Sequence, residues 1–347
     1  MNTLRAERWL AQLDPGGSAC LFGIRLILGY ALGACLAAPT ARWLGWRFDA
    51  HVPLDLMAGG IALWALVSET APTRAQASRQ ILALGLAACA GAALFAACTP
   101  ALTPRFAHAP ELLLATGAFV VAYLRRSTPL RAGMGSQFYI GEIFVYGVGA
   151  QHVDAHMVVL LGVVGTVSAL AARLVASPAP GLALLHAPQQ EAPWPVPERM
   201  RMGLQATLGA LAIVALDAML QLEQAGWAIT GCIYVIAGSR SDTFLRGRQR
   251  MLGNCVGVLA GLAALPLAEH LPWLGWSFAA AAMMLFAWSN ALRYDIACAA
   301  YAFTLVLTLA AHGEHSVALL ASRAWETLLG SALALLFAHV VLPLERK

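Results

Sequence analysis

The stretch of sequence that decides the fold is residues 20–38, CLFGIRLILGYALGACLAA, in which Arg25 is the only charged side chain. A helix needs about 20 mostly apolar residues to cross the hydrocarbon core of a bilayer. The stretch therefore predicts a transmembrane helix, and eleven further apolar runs follow it along the chain. The twelve runs lie at about 20–38, 54–68, 81–98, 111–124, 138–151, 157–175, 202–220, 225–238, 252–269, 272–290, 294–311 and 316–342. The predicted fold is all-α, a polytopic membrane protein with about twelve transmembrane helices.

The composition of the chain agrees with a membrane protein. Of the 347 residues, 60% are hydrophobic and 12% are charged, whereas a soluble domain has roughly 25% charged residues. An ordinary water-soluble enzyme is excluded. The net charge of +4 comes from scattered single arginines and Lys347, so the expected partner is the lipid bilayer and not a nucleic acid. The seven cysteines show no CxxC spacing, and we predict no cofactor and no metal site.

The distribution of the arginines predicts the topology. With the N-terminus in the cytoplasm, eighteen of the 22 basic residues fall in inner segments and three in outer loops, while Arg323 lies inside the last run. Positive side chains are retained on the cytoplasmic side of the membrane. We therefore expect a multi-pass protein of the bacterial inner membrane with both termini in the cytoplasm. Residues 1–19, which show no signal peptide, are expected to form the cytoplasmic N-terminal segment.

A proline-rich interruption divides the chain into two halves. Residues 177–198, SPAPGLALLHAPQQEAPWPVPE, cannot form a continuous helix, and we interpret them as a cytoplasmic linker. The linker separates a first six-helix unit, residues 20–176, from a second, residues 199–347.

The two halves resemble each other in sequence. The pattern Arg25-x-x-Leu-x-x-x-Leu-Gly-Ala recurs from Arg201, and the later matches keep the same order. They are Trp64 with Tyr234, Arg131 with Arg293, Tyr139 with Tyr301, and Gly165 with Gly330. Because six helices return each half to the cytoplasm, the repeats are predicted to be parallel, with a pseudo-twofold axis along the membrane normal and a substrate path near their interface.

The most distinctive segment is residues 238–253, GSRSDTFLRGRQRMLG. Its arginines are either ordinary inner-side charge or a cytoplasmic mouth that gathers anions; they are Arg240, Arg246, Arg248 and Arg250. The helix that follows carries glycines four residues apart, which lets another helix approach closely. These glycines are Gly253, Gly257 and Gly261, and Gly330 is expected to act likewise in the last helix.

This segment, together with Trp227, Asn290, Arg293-Tyr294 and residues 323–330 followed by Pro343, resembles the fusaric acid resistance family. That family includes aromatic carboxylic acid exporters and is distantly similar to plant aluminium-activated malate transporters. The resemblance covers residues 200–343 well and the first half only through the internal repeat. It implies an inner-membrane exporter of small organic anions that is driven by the proton gradient. Longer members carry a cytosolic domain where this chain has only the linker.

Ionisable residues inside the apolar runs are costly in lipid and often functional. Arg323 and Glu326 lie three apart on one helix face and form either a structural pair or a gate that touches substrate. Arg25 and Arg201 are either snorkelling interfacial arginines or a pair that attracts anions. Arg131 and Arg293 are placed with them on the predicted substrate path.

Two further carboxylates are candidates for proton coupling, because burial raises the pKa of a carboxyl group. Glu142 lies in a short run that is also compatible with a re-entrant segment, and its alternative role is an internal hydrogen bond. Asp217 lies near a helix end, where a solvated carboxylate is the alternative. Glu326 completes the set of candidates.

The remaining candidates are aromatic residues near apolar centres and polar outer loops. Trp64, Tyr139, Tyr234, Trp288 and Tyr301 are predicted to stack on an aromatic substrate, with core packing or interfacial anchoring as the alternative. The outer motifs His152-x-Asp154-x-His156 and His312-x-Glu314-His315 are either solvated loops or metal-binding or pH-sensing groups.

Three functions remain open at this stage. The first is a proton-driven exporter of small organic anions, in particular aromatic carboxylates. The second is an organic-anion channel, and the third is a non-transporting membrane subunit for envelope assembly. A polar cavity between the halves favours transport, and a sealed apolar interface favours the third function. The small-residue helix faces serve contacts within one chain or between the chains of a homo-oligomer.

Overall fold

A computed structural model describes residues 18–46, 53–149, 154–175, 193–223, 225–290, 293–312 and 316–341. These residues form twelve α-helices and no strand. In chain order the helices are α1 (Ser18–Trp43), α2 (Leu54–Ser68), α3 (Arg74–Leu102), α4 (Ala109–Arg125), α5 (Pro129–Val148), α6 (Ala155–Val175), α7 (Val196–Leu220), α8 (Ala225–Val235), α9 (Arg240–His270), α10 (Pro272–Ser289), α11 (Tyr294–Ala311) and α12 (Val317–Leu336). A single π-helical turn, Phe337–Val341, follows α12.

The helix starts follow from local sequence chemistry. Thr73, Ser239 and Ser316 cap α3, α9 and α12, because each side-chain oxygen accepts a hydrogen bond from a backbone N–H of the first turn. Helices α4, α5, α7 and α10 begin instead with a proline in the first two positions. Proline is suited to this place, since the first N–H groups of a helix have no intrahelical partner.

The all-α membrane class is confirmed, whereas twelve complete spans are not. Among the described residues, seven helices are long and apolar enough to cross a membrane, namely α1, α3, α6, α7, α9, α11 and α12 with its π turn. Helices α2 and α8 are apolar but have only 15 and 11 residues. At 1.5 Å per residue, α8 covers roughly 16 Å, about half of the hydrocarbon core.

The packing of the helices repeats along the chain. In residues 18–175, α3 packs on α5 and α6, and α1 and α6 pack on α2. In residues 196–336, α9 packs on α11 and α12, and α7 and α12 pack on α8. The most extensive contacts between these sets are those of α4 with α7 and of α10 with α1, and α8 also contacts α4 and α5. The fourth helix of each set therefore contacts the first helix of the other.

Glycines permit the closest of these helix contacts. A Cβ atom on Gly330 of α12 would lie 1.8 Å from the carbonyl oxygen of Ala228 in α8, and one on Gly165 of α6 would lie 2.6 Å from that of Ala58 in α2. Gly253 and Gly257 bring α9 equally close to the α11 backbone, and Gly261 faces the Val306 side chain. At these contacts a larger side chain would push the helices apart.

Several predictions concern residues outside the described ranges. They include the N-terminal segment up to residue 17, linker residues 177–192, and the loop residues His152, Glu314 and His315.

Candidate functional site

A cavity of about 230 Å³ lies between helices of the two predicted halves. Helices α2 and α5 supply one side of its wall, and α8 to α12 supply the rest. Its polar and aromatic lining consists of Trp64, Tyr139, Phe144, Trp227, Thr230, Tyr234, Arg250, Asn254, Phe286, Asn290, Tyr294, Cys298, Tyr301, Arg323 and Thr327.

Four of the five aromatic candidates line this one cavity and form two edge-to-face pairs, whereas Trp288 is not among the residues that line it. Trp64 and Tyr301 have ring centroids 5.1 Å apart with an interplanar angle of 66°. Tyr139 and Tyr234 have centroids 6.4 Å apart with the same angle. The Tyr139 hydroxyl also lies 2.7 Å from the Thr230 hydroxyl, which ties α5 to α8.

Arg323 brings a positive charge into the cavity from α12. The side chain is 8% exposed, and its guanidinium carbon lies 4.3 Å from the Trp227 ring centroid. At this distance the guanidinium is attracted to the face of the indole ring by a cation–π interaction. Glu326, which is fully buried one turn later, is not among the residues that line the cavity.

Arg250 supplies a second positive charge. It donates a hydrogen bond from Nη1 to the Tyr294 hydroxyl, 3.3 Å away, and its guanidinium carbon lies 5.5 Å from the Tyr234 ring centroid. Arg125 of α4 contacts the same ring at 5.7 Å, and Arg246 lies 5.9 Å from the Tyr294 ring. Three arginines thus surround two tyrosines at this end of the cavity.

The cavity wall carries no acidic side chain within the described part of the chain. Arg250 and Arg323 therefore place two positive side chains in an apolar and aromatic wall. A guanidinium binds a carboxylate with two parallel hydrogen bonds, and a low-dielectric surrounding strengthens that attraction. The arrangement suits a small anion with a flat apolar body.

The early end of α8 contributes to this site. The apolar run was predicted to be helical as far as residue 238, but α8 ends at Val235. The next two residues, Ile236 and Ala237, are nevertheless buried. The Ile236 carbonyl accepts a hydrogen bond from Arg125 Nη1, and the Ala237 N–H donates to Thr243 Oγ1 at 3.0 Å. Non-helical backbone at membrane depth needs such protein partners, so Arg125 has a structural role that the sequence reasoning missed.

Other arginines predicted on the path lie elsewhere. Arg25 is buried beside Glu69 at 3.7 Å, and Glu69 also accepts a hydrogen bond from Arg173 at 2.9 Å. Its repeat mate Arg201 is exposed, so the structure does not join the two as one anion site. Arg131 is exposed as well, and Arg293 is paired with its neighbour Asp295 at 2.8 Å. None of these arginines lines the cavity.

The arginines of the 238–253 segment divide into two groups. Arg240, Arg246 and Arg248 are exposed on α9, as expected of charge on a solvated surface. Arg250, two residues after Arg248, lines the cavity. Asn290 and Tyr294 also line it; both had been noted only as part of the family resemblance.

The proton-coupling candidates lie outside the cavity wall. Glu142 is 1% exposed and accepts a hydrogen bond from the Thr116 hydroxyl at 3.0 Å, so it faces α4. A Cβ on Gly117 would touch both Glu142 and Tyr139, which makes Glu142 a neighbour of a cavity residue. Asp217 is 7% exposed, accepts a bond from the Leu222 N–H at 2.9 Å, and lies 3.1 Å from His108 Nδ1.

A second cavity adjoins the first. It has a volume of about 480 Å³ between α1, α2, α10 and α11, and it shares Trp64 and Tyr301 with the first. Asp55 lines it, and its carboxylate lies 2.6 Å from His312 Nε2. This hydrogen bond raises the pKa of His312 above its ordinary value.

Comparison with known proteins gives a family match in the second half of the chain. Residues 209–337 match the family described as fusaric acid resistance protein-like. An uncharacterized protein of Synechocystis sp. is 32% identical over 142 residues, a match that covers 39% of this chain and 18% of the relative. The chain therefore spans less than a fifth of the length of that relative. No solved structure matches significantly. The protein is thus a multi-pass membrane protein in which residues 209–337 match the fusaric acid resistance protein-like family.

Proposed function

We propose that this protein is a secondary transporter of the bacterial inner membrane that exports small organic anions, with aromatic carboxylates as the substrate class and the proton gradient as the driving force. One observation carries the proposal. The cavity combines Arg250 and Arg323 with aromatic side chains and has no carboxylate in its described wall. The family match of the second half agrees with a transport role.

The size and chemistry of the cavity support a small substrate. Its volume of about 230 Å³ is below the range of roughly 300–1,000 Å³ found for sites of drug-sized ligands. A carboxylate would bind the guanidinium of Arg323, while its ring would contact Trp227 or the Trp64–Tyr301 pair. A neutral analogue would lack this charge-assisted interaction.

We infer further that the two halves are parallel repeats related by a pseudo-twofold axis. Three observations support this. The contacts α4–α7 and α10–α1 are equivalent under the repeat. The sequence matches Trp64 with Tyr234 and Tyr301 with Tyr139, so the two aromatic pairs are equivalent too. Gly165 and Gly330 both approach an alanine carbonyl of the second helix of their half. Alternating access would then be a rocking of the halves about the cavity.

Glu142 remains our candidate for proton coupling. It is buried with one hydrogen bond, from Thr116, and an uncharged form is favoured at such a position. Because Glu142 and Tyr139 meet at Gly117, a change in its charge would act on the cavity through the Tyr139 ring. The inner concentration of arginines supports cytoplasmic termini.

The test is transport in proteoliposomes. A proton gradient should drive uptake of labelled benzoate against its own gradient with the wild-type protein. Glu142→Gln should abolish this uptake while equilibrium benzoate binding survives, and Arg323→Gln should weaken both. Arg248→Gln, which removes an exposed arginine of α9, is the matched control and should leave both unchanged. Proton-driven uptake that proceeds normally in Glu142→Gln would remove that residue as the coupling site.

An anion channel is the second candidate, and one observation favours it. The described cavity wall holds two arginines and no acidic group that could exchange a proton with the substrate. A channel would give macroscopic anion currents that follow the membrane potential and ignore an imposed proton gradient. Currents of that kind in a planar bilayer would replace the exporter proposal. A non-transporting subunit is disfavoured, since the interface that this function would require to be sealed contains the cavity.

A further inference from the structure

A cluster of potential metal ligands lies where α4 meets α7, outside the cavity described above. It consists of His108, Glu111 and Asp217, and one donor atom from each residue lies within 4.8 Å of the other two. His108 Nδ1 and Asp217 Oδ2 are only 3.1 Å apart. None of the three residues is among those that line the central cavity.

The local structure fixes these side chains in place. His108 is the residue that precedes α4, and Glu111 lies in the first turn of that helix. Asp217 lies in the last turn of α7, where Oδ1 accepts the Leu222 N–H at 2.9 Å and Oδ2 is left directed towards His108. Asp217 is buried, whereas His108 and Glu111 are partly exposed. The cluster is therefore anchored by one buried carboxylate and accessible to a dissolved ion at the other two residues.

The donor set matches a transition metal. Zn²⁺ binds His nitrogen and carboxylate oxygen at about 2.0–2.2 Å with tetrahedral geometry, in which neighbouring ligand atoms are about 3.3 Å apart. The 3.1 Å between His108 Nδ1 and Asp217 Oδ2 is close to that spacing, and Glu111 needs only a side-chain adjustment to reach it. Three protein ligands leave the fourth position to water.

Electrostatics favours a cation at the same place. Two carboxylates within 4.8 Å of each other repel, and a divalent ion between them removes the repulsion. The Tyr146 hydroxyl interacts with Glu111, as an outer partner that orients a metal ligand does.

We propose that His108, Glu111 and Asp217 bind a divalent transition metal, with Zn²⁺ as the best match. The site takes two ligands from the start of α4 and one from the end of α7. It therefore ties a helix of the first half to a helix of the second, and bound metal stabilises the contact between them.

The test uses the purified full-length protein in detergent. Zn²⁺ should raise the thermal midpoint of the wild type in a saturable manner, and Co²⁺ should produce the visible absorption of a tetrahedral N/O site. Glu111→Gln and His108→Gln should each weaken Zn²⁺ binding by at least about tenfold, since even outer-shell changes cost that much. His270→Gln, which removes an exposed histidine at the end of α9, should bind Zn²⁺ like the wild type.

Two results would overturn the proposal. One is a wild type without saturable Zn²⁺ binding, and the other is unchanged binding in both Glu111→Gln and His108→Gln. Thermal midpoints without metal show whether each variant is folded. Because two ligand variants are used, the test still works if one of them does not fold. Benzoate binding should be the same in Glu111→Gln and wild type. An absence of Zn²⁺ binding would therefore overturn the metal site without affecting the proposed transport function.

Discussion

Replacing Arg323 by glutamine is the most direct test of the anion site. Arg323 is 8% exposed and stacks on Trp227, so its charge acts in a largely desolvated place. Glutamine keeps a polar side chain of moderate length but removes the charge and the bidentate donors. A hydrogen bond to a charged group contributes about 1.5–3 kcal/mol. Since 1.4 kcal/mol is tenfold in affinity, benzoate should bind about 10- to 150-fold more weakly.

The loss should be partial, because Arg250 stays in the cavity with its bond to Tyr294. The double change with Arg250→Gln should bring binding close to that of a neutral ligand. Isothermal titration calorimetry with benzoate and its neutral analogue benzamide measures both effects. Arg248→Gln serves as the control, since it removes an equal charge from the exposed face of α9.

The reasoning about charge fails on either of two results. In one, Arg323→Gln binds benzoate as tightly as the wild type. In the other, the wild type binds benzamide as tightly as benzoate, which would mean that aromatic contact alone accounts for affinity. A loss of benzoate affinity in Arg248→Gln equal to that in Arg323→Gln would point instead to the general surface potential.

Three further predictions concern stability, each measured by thermal unfolding in detergent. Gly330→Ala should destabilise by at least about 1–3 kcal/mol, because the added Cβ would meet a carbonyl oxygen at 1.8 Å, whereas Gly147→Ala, with open space around it, should not. Arg125→Gln should cost about 1–3 kcal/mol by leaving the buried carbonyl after α8 unsatisfied, and Arg131→Gln on the surface should be neutral. Pairing raises the pKa of His312 above 6.5, so its stabilising effect is complete below about pH 6.5 and disappears as pH rises through the raised pKa. The midpoint difference between wild type and His312→Gln should therefore shrink from about pH 6 to about pH 9, and a difference that grows over this range would contradict the assignment.

The sequence was sufficient for features that depend on local pattern. Apolar runs interrupted by proline, glycine and charge predicted twelve helices, because burial in lipid requires continuous apolar surface. Arg323 and five aromatic residues were selected because charge or an aromatic ring within an apolar run is unusual there. The structure places Arg323 and four of the aromatic residues at one cavity, but not Trp288.

Features that depend on contacts distant in sequence were not predicted. Arg25 was expected either to snorkel to the interface or to attract anions, whereas in the structure it is buried beside Glu69, which also binds Arg173. No periodicity connects these three positions. The run at 225–238 was expected to be one helix, because apolarity indicates burial and does not distinguish helix from buried extended backbone. Helix α8 can end at Val235 only because Arg125 and Thr243 satisfy the next peptide groups.

The proposed repeat applies to the helix packing and the aromatic pairs, but not to the arginines of the cavity. Under the proposed repeat, the aromatic pairs and the close glycine contacts have counterparts in both halves. The positive charge of Arg323 has no such counterpart. Aligning Gly165 with Gly330 places Val158, which is fully buried, at the position of Arg323. Both cavity arginines come from residues 209–337, the part that matches the family. A duplicated frame would thus present a one-sided positive site, which would hold an anion against the second half beside aromatic pairs that each take one ring from either half.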